Sequence, residues 1–144
     1  MLIQTYTPEH PSIALAGRHD FLAFAKQEMA FRRQHAYPPF ERLARLIVRS
    51  QKLEAARDFA DHLASGFRQA LSHHGDRRPG GPAVKLLGPA ECAVFRLNNY
   101  FRFHFQLQCA SAGALHEVLR EVLATARVPG NVEYQVDIDP HNML

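Results

Sequence analysis

The stretch Phe101–Gln108, FRFHFQLQ, decides the fold because apolar and polar residues alternate through all of it. Successive side chains of a β-strand point to opposite faces, so this segment is predicted to be a strand with one apolar and one polar face. The apolar face carries Phe101, Phe103, Phe105 and Leu107, and the polar face carries Arg102, His104, Gln106 and Gln108. We expect the apolar face to pack against helices and the polar face to be open.

The neighbouring segments show the same two kinds of periodicity. Three of them alternate and are predicted to be strands: Arg42–Ser50, Val84–Leu87 with a continuation over Cys92–Leu97, and Val132–Asp139. Two carry apolar residues three and four positions apart and are predicted to be helices: Lys52–Ser72, and a second from its cap Ser111 to Arg127. Asn98 and Asn99 predict a hairpin turn because asparagine tolerates positive φ. The composition of residues 73–82 predicts a solvated loop.

The resulting order is strand, helix, strand, strand, helix, strand, which is the order of a ferredoxin-like βαββαβ unit. It predicts an α+β fold in which a four-stranded antiparallel sheet packs on two helices.

A less regular segment precedes this unit. Residues 1–18 are predicted to form a strand end and then a loop or short helix. Asp20 is a plausible cap for a helix from Phe21 to about His35, which Tyr37-Pro38-Pro39-Phe40 would end. We therefore expect an N-terminal helical segment, residues 1–40, and a ferredoxin-like domain, residues 41–144.

Composition excludes several classes of protein. No apolar run approaches the roughly 18–20 residues that span a bilayer, and the first residues lack the pattern of a signal peptide. Two cysteines, Cys92 and Cys109, cannot build a disulfide framework or a zinc site, so a reducing, cytoplasmic location is expected. The net charge is +3, but residues 1–102 hold 15 basic and 9 acidic residues, whereas residues 103–144 hold 2 and 5.

The chain also lacks the common catalytic motifs. Gly80-Gly81 and Gly88 match no phosphate-binding loop, and the serine-hydrolase, metalloprotease and paired-cysteine motifs are missing. The nine histidines are better explained as surface residues than as metal ligands, and no metal site is predicted. Asp137 and Asp139 share a strand face, but capping or ion pairing explains them better than acid–base catalysis does.

The polar sheet face is the main candidate site. If the first strand lies beside Phe101–Gln108, Arg45 and Arg49 join Arg102 on that face, and Arg96 lies near the hairpin. We predict these four arginines as candidate DNA phosphate contacts. The alternative is a solvated face whose charges pair with Glu133 and Asp137. Base stacking as in RNA-recognition modules is not expected there, because the aromatic residues share the opposite face.

Five groups of residues, in order along nearly the whole chain, resemble the C-terminal region of the primosomal protein N′ family of bacterial replication-restart helicases. They are Leu2-Ile3-Gln4-Thr5-Tyr6 with Pro8-Glu9-His10-Pro11; His19-Asp20-Phe21 with Phe24, Glu28, Arg32 and Tyr37-Pro38-Pro39-Phe40; Leu87-Gly88-Pro89-Ala90; the hairpin entering Phe101-Arg102-Phe103; and Val136-Asp137-Ile138-Asp139-Pro140. Two stretches depart from the family pattern by lacking a basic residue: Tyr100-Phe101-Arg102-Phe103 and Ser111-Ala112-Gly113-Ala114.

The resemblance implies a ferredoxin-like domain that binds branched or single-stranded DNA and docks partners. The implied partners are the single-stranded-DNA-binding protein, other primosome proteins and the helicase lobes of the same chain. ATP, magnesium and zinc would belong to the parent helicase, so these residues are expected to need no cofactor and to have no enzyme activity of their own. Residues 1–40 would be the end of a helicase lobe and a connecting helix.

Two other functions remain open from the residues. One is a protein-interaction module that makes no direct DNA contact, and the other is a small-ligand regulatory domain, since such domains share this strand order. If residues 1–40 lack their native partners, Phe21, Phe24 and Phe31 should be exposed or packed on another chain.

Overall fold

A computed structural model of the chain describes residues 4–77 and 80–140, without the side chains of residues 76 and 77. It contains two compact units, Met1–Phe40 and Glu41–Leu144. No helix in the described ranges is long and apolar enough to cross a membrane.

The first unit contains two helices, α1 (Pro11–Gly17) and α2 (Phe21–Gln34). Asp20 caps α2 as predicted, because its Oδ1 accepts a hydrogen bond of 3.0 Å from the backbone N–H of Ala23. The short helix predicted before residue 18 is α1. Residues 4–10 contain a turn and two bends and no strand, and residues 1–3, on which the predicted strand end also falls, lie outside the described part of the chain.

The second unit contains the predicted βαββαβ order. Its elements are β1 (Arg42–Ser50), α3 (Leu53–Arg77), β2 (Lys85–Leu97), β3 (Tyr100–Cys109), α4 (Ala112–Thr125) and β4 (Val132–Ile138). Asn98 and Asn99 form the β2–β3 turn with φ of 50° and 65°, and the Ser111 hydroxyl caps α4 by accepting from Ala114 N at 3.4 Å. The ferredoxin-like α+β fold is confirmed.

Two predicted boundaries are wrong. Helix α3 continues through residues 73–77, which the composition assigns to a loop, because each residue added to an existing helix gains a backbone hydrogen bond without a new nucleation cost. Strand β2 is one element rather than two short ones. It absorbs Gly88-Pro89 through a change of register between Leu87 and Ala90, and a second change follows between Glu91 and Arg96.

The sheet has the strand order β2-β3-β1-β4, and all neighbouring strands are antiparallel. Its core face packs on α3 and α4, where Phe67 of α3 meets Phe105 of β3 edge to face at 5.7 Å. The helices approach closely at Gly66, where a Cβ would lie 3.3 Å from Val122. The opposite face of the sheet, which does not pack on the helices, carries the alternating polar residues.

Candidate nucleic-acid interface

The polar face of the sheet is assembled from three strands in register. Arg49 of β1 lies directly opposite Arg102 of β3, and on its other side it lies opposite Glu133 of β4. Arg45 lies opposite Gln106 and Asp137. The structure therefore places Arg45, Arg49 and Arg102 on one face, as the alternation predicts.

A cleft of about 410 Å³ opens on this face beside the β2–β3 hairpin. Its lining includes both opposed arginines, Arg49 and Arg102, together with Asn98, Tyr100 and Glu133. Two guanidinium groups next to an aromatic ring and an amide form an arrangement suited to an anionic ligand, because guanidinium offers paired donors that match phosphate oxygens. We refer to these five residues as the hairpin cleft.

Glu133 holds Arg49 within the hairpin cleft. Its Oε2 accepts from Arg49 Nε at 3.0 Å and from Nη2 at 2.6 Å, and its Oε1 accepts from the Tyr100 hydroxyl at 3.3 Å. The Arg49 guanidinium also lies 5.1 Å from the centre of the Tyr100 ring. Both charged side chains are about half exposed, so the pair is screened by solvent and contributes little to folding stability.

Arg102 differs from Arg49 in its partners. Its Nη1 donates a long hydrogen bond of 3.4 Å to the Val94 carbonyl, and no carboxylate of residues 4–77 and 80–140 lies within ion-pair distance. Arg102 is half-buried in the cleft, and no acidic side chain of the described residues neutralises its charge.

Arg45 is not available as an exposed contact. Its side chain is only 3% exposed, because it lies under the polar face beside Cys92, to which it donates a hydrogen bond. Burial raises the pKa of the Cys92 thiol, while the charges of Arg102 and Arg45 and that hydrogen bond oppose the shift. Arg45 therefore supports the face from beneath rather than meeting solvent.

His104 lies on the same face and is kept neutral. Burial lowers the pKa of its imidazole, and the positive charges of Arg45 and Arg102 lower it further. Its Nδ1 is buried without a hydrogen-bond partner among the described residues. His104 therefore adds no positive charge to the face near neutral pH.

Arg96 lies on the opposite side of the sheet from the other three arginines. It pairs in register with Phe101, a residue of the core face, and its guanidinium lies 5.2 Å from the centre of that ring. Its Nη2 donates to Asn99 Oδ1 at 3.2 Å. The two-residue turn at Asn98-Asn99 pairs Leu97 with Tyr100 and Arg96 with Phe101, so Arg96 lies on the core face and away from the hairpin cleft.

Of the two aspartates near the end of β4, Asp139 forms an ion pair. Asp139 Oδ2 accepts from Arg42 Nη1 at 2.6 Å, and its Oδ1 accepts from the backbone N–H of Leu43 at 3.0 Å, so it closes the end of the β1–β4 pair. Asp139 thus forms the ion pair and the capping contact that the sequence analysis expects. Within the described ranges, no three His, Cys, Asp or Glu side chains are close enough to hold a metal ion.

Sequence reasoning missed Tyr100 and Cys92 as members of the polar face. Extending the β3 alternation by one residue puts Tyr100 on the same face as Arg102, so a signal for Tyr100 was present. Cys92 had no such signal, because its place depends on the two register shifts of β2.

Comparison with known proteins identifies the family. The profile of the primosomal protein N C-terminal domain matches residues 33–141, which is most of the chain. The chain belongs to this family. The resemblance drawn from the residues is therefore confirmed, and the polar face described above is a face of a primosomal protein N C-terminal domain.

Relatives extend the match to the whole chain. The chain is 34% identical over 146 residues to the replication restart protein PriA of Treponema pallidum, and 29% identical over 147 residues to that of Bacillus subtilis; both matches cover 100% of the chain. It is 29% identical to the probable replication restart protein PriA of Deinococcus radiodurans, with 99% of the chain covered. It spans only 20%, 17% and 14% of the lengths of these three relatives.

Proposed function

We propose that this domain contributes phosphate-backbone contacts to branched or single-stranded DNA within a larger replication-restart protein, and that the hairpin cleft makes those contacts. The observation that carries the proposal is the direct opposition of Arg49 and Arg102 across β1 and β3, with both side chains lining one cleft. Phosphate contacts from arginine fix a protein on nucleic acid without reading its sequence.

The two arginines are expected to contribute unequally. Arg102 has no acidic partner among the described residues, so its charge is available to a phosphate at once. Arg49 must first exchange Glu133 for the phosphate, because that carboxylate engages both Nε and Nη2. Arg102 is therefore the stronger contact, and binding should be weak and sensitive to salt.

The remaining predicted arginines have different proposed roles. Arg45 is buried and would hold the strands of the polar face in place. Arg96 lies beside Phe101 at the end of the hairpin, so it would meet only DNA that extends past the turn.

Fluorescence anisotropy with labelled forked and single-stranded DNA at two salt concentrations tests the proposal. Loss of one phosphate contact lowers the slope of log affinity against log salt by about one unit, and we expect this for Arg102→Ala and a smaller change for Arg49→Ala. Arg120→Ala is the matched control, since Arg120 is an exposed arginine of α4. The proposal fails if wild type does not bind at low salt, or if Arg102→Ala and Arg120→Ala give equal slopes.

A second function, docking to protein partners, is favoured by the apolar surface of the first unit. Phe21 is 72% exposed, Leu22 81% and Phe31 49%, whereas Phe24 is half-buried. Apolar surface of this kind marks an interaction site. We propose that residues 1–40 pack on the helicase lobes of the longer protein, and that the domain also meets the single-stranded-DNA-binding protein and other primosome proteins.

Light scattering of the chain before and after removal of residues 1–36 tests the docking role of the first unit. If the exposed residues associate, the longer chain forms the larger oligomer, and an oligomeric state unchanged by the truncation counts against the idea. Binding of the acidic tail peptide of the single-stranded-DNA-binding protein without DNA binding would favour the interaction module over the DNA contact. Either way, this segment alone is proposed to have no ATPase or helicase activity.

A further inference from the structure

The two edges of the sheet are protected to different degrees. On the β2 edge, Lys85, Pro89 and two shifts of register interrupt the strand, and these are the devices by which natural edges avoid pairing with other strands. On the β4 edge, seven residues pair with β1 without a break of register, and the strand contains neither proline nor a basic residue. The β4 edge therefore remains a regular template for one more strand.

The backbone geometry shows which peptide groups this edge offers. Asp139 N donates to Leu43 O at 2.7 Å, so the N–H of residue 139 points toward β1. Because backbone groups alternate along an antiparallel strand, the N–H and C=O groups of Tyr134, Val136 and Ile138 point away from β1. Three residues thus present donors and acceptors at the outer edge in the spacing that a β-strand matches.

Side chains along β4 define what an added strand must carry. The polar face presents Glu133 and Asp137, and Asp137 forms no ion pair within the described ranges. The core side presents Tyr134 and Ile138, which are 36% and 41% exposed. A matching strand has basic residues opposite the two acids and apolar residues on its other face.

The same charges oppose pairing with a second copy of this strand. In an antiparallel pair centred on Gln135, Glu133 of one copy would lie opposite Asp137 of the other at both ends. Like charges directly opposite each other destabilise a strand pair. In this register the acids therefore oppose self-association and favour a basic partner.

Apolar side chains of a partner also have a place to pack near this edge. A groove of about 650 Å³ is lined by Phe59, His62, Arg127 and neighbouring residues of α3 and the α4–β4 connection. Tyr134 connects the edge to this groove, because its ring lies 6.3 Å from that of Phe59.

We propose that the outer edge of β4 is a docking site for an extended segment of a partner protein in which basic and apolar residues alternate, and that this segment adds a fifth strand to the sheet. The site shares Glu133 with the hairpin cleft, where Arg49 engages that carboxylate, but it uses neither Arg49 nor Arg102. The backbone groups of β4 and Asp137 are available to a partner strand whether or not the hairpin cleft binds DNA.

Amide hydrogen exchange of the ¹⁵N-labelled chain, followed by NMR, tests the proposal with a short end-capped peptide in which lysine and valine alternate. The peptide should slow exchange at Tyr134, Val136 and Ile138 by about tenfold or more, because these amides gain a hydrogen-bond partner. The amides of Gln135 and Asp137, which already face β1, should change little. This alternation distinguishes strand addition from general stabilisation.

The matched control is the same peptide with glutamate in place of lysine, which should leave all these amides unchanged. Asp137→Lys should weaken the lysine peptide roughly tenfold. The proposal is overturned if neither peptide slows exchange, if both do so equally, or if the slowing does not alternate along β4. It is also overturned if the three amides are protected by raising protein concentration without peptide, since the occupant would then be a second copy. The wild-type comparison stands even if Asp137→Lys does not fold.

Discussion

The two faces of strand β1 show how one strand serves packing and charge at once. Ala44, Leu46 and Val48 are fully buried against the helices, while Arg49 points the other way and is about half exposed. On the core face, shape and volume decide what is tolerated. On the polar face, the charge of a side chain decides how its substitution affects binding. Substitutions on the core face should therefore change stability, and those at exposed positions of the polar face should change binding.

The largest expected effect is on the core face, at Phe105. Its side chain is 1% exposed and meets Phe67 edge to face, so Phe105→Ala leaves a cavity and should lower the free energy of unfolding by about 3–5 kcal/mol. Urea denaturation followed by circular dichroism measures this. Arg102→Ala is the control on the other face of the same strand and should change stability by about 0.5 kcal/mol or less. Equal losses for the two variants would break the comparison of the faces.

The next effect concerns Gly88, where β2 bends over β3. Its φ is +100°, and a Cβ there would lie 2.9 Å from the His104 carbonyl oxygen. Gly88→Ala should therefore lower stability by about 1–3 kcal/mol. Gly130→Ala is a matched control, because a Cβ at Gly130 meets nothing within 4 Å. A Gly88→Ala variant as stable in urea as Gly130→Ala would show that the bend in β2 does not depend on glycine.

A smaller effect, on binding, is expected at Glu133. Glu133→Gln removes the carboxylate that engages Arg49, so DNA affinity in the anisotropy assay should rise by up to about fivefold, in line with the strength of an exposed ion pair. Asp137→Asn changes the net charge equally on the same strand face, and it does not contact Arg49. Asp137→Asn should therefore raise DNA affinity less than Glu133→Gln does.

The combination with Arg49→Ala sharpens this prediction. If Glu133 acts by restraining Arg49, the gain from Glu133→Gln disappears in an Arg49→Ala background. An equal gain from Glu133→Gln and Asp137→Asn would mean that only net charge matters.

The smallest effect is the pH dependence due to His104. Burial lowers the pKa of the His104 imidazole in the folded state below its ordinary value of 6.5, so the unfolded chain binds the proton more readily. Stability should therefore fall as the pH drops through 6.5 toward the lower folded-state pKa. His104→Gln should show a weaker fall between about pH 7 and 5 in urea denaturation. A variant with the wild-type pH profile would contradict this account.

Most of the fold follows from local patterns in the sequence. Alternation in Phe101–Gln108 and helical spacing of apolar residues are each set by whether a side chain faces the core, so they predict the strands, the helices and the polar face that carries Arg49 and Arg102. The Asn98-Asn99 turn follows from the positive φ that these residues tolerate.

The departures have two sources. Arg96 lies near the hairpin, as predicted, but the two-residue turn pairs it with Phe101 and so places it on the opposite face from the other arginines. Alternation gives the face on which Arg45 lies but not its depth, which depends on tertiary packing beside residues distant in sequence, such as Cys92. The histidine and glycine residues of 73–77 resemble a loop in composition, yet α3 continues through them.

The most direct test of the central claim, that the polar face around the hairpin cleft meets DNA while the core face maintains the fold, is an NMR titration of the ¹⁵N-labelled chain with a short single-stranded oligonucleotide at low salt. The account predicts chemical-shift changes concentrated at Arg49, Asn98, Tyr100 and Arg102, which diminish together as salt is raised. Changes centred on the outer surfaces of α3 and α4 or on residues 4–40, with the hairpin cleft unaffected, would contradict it.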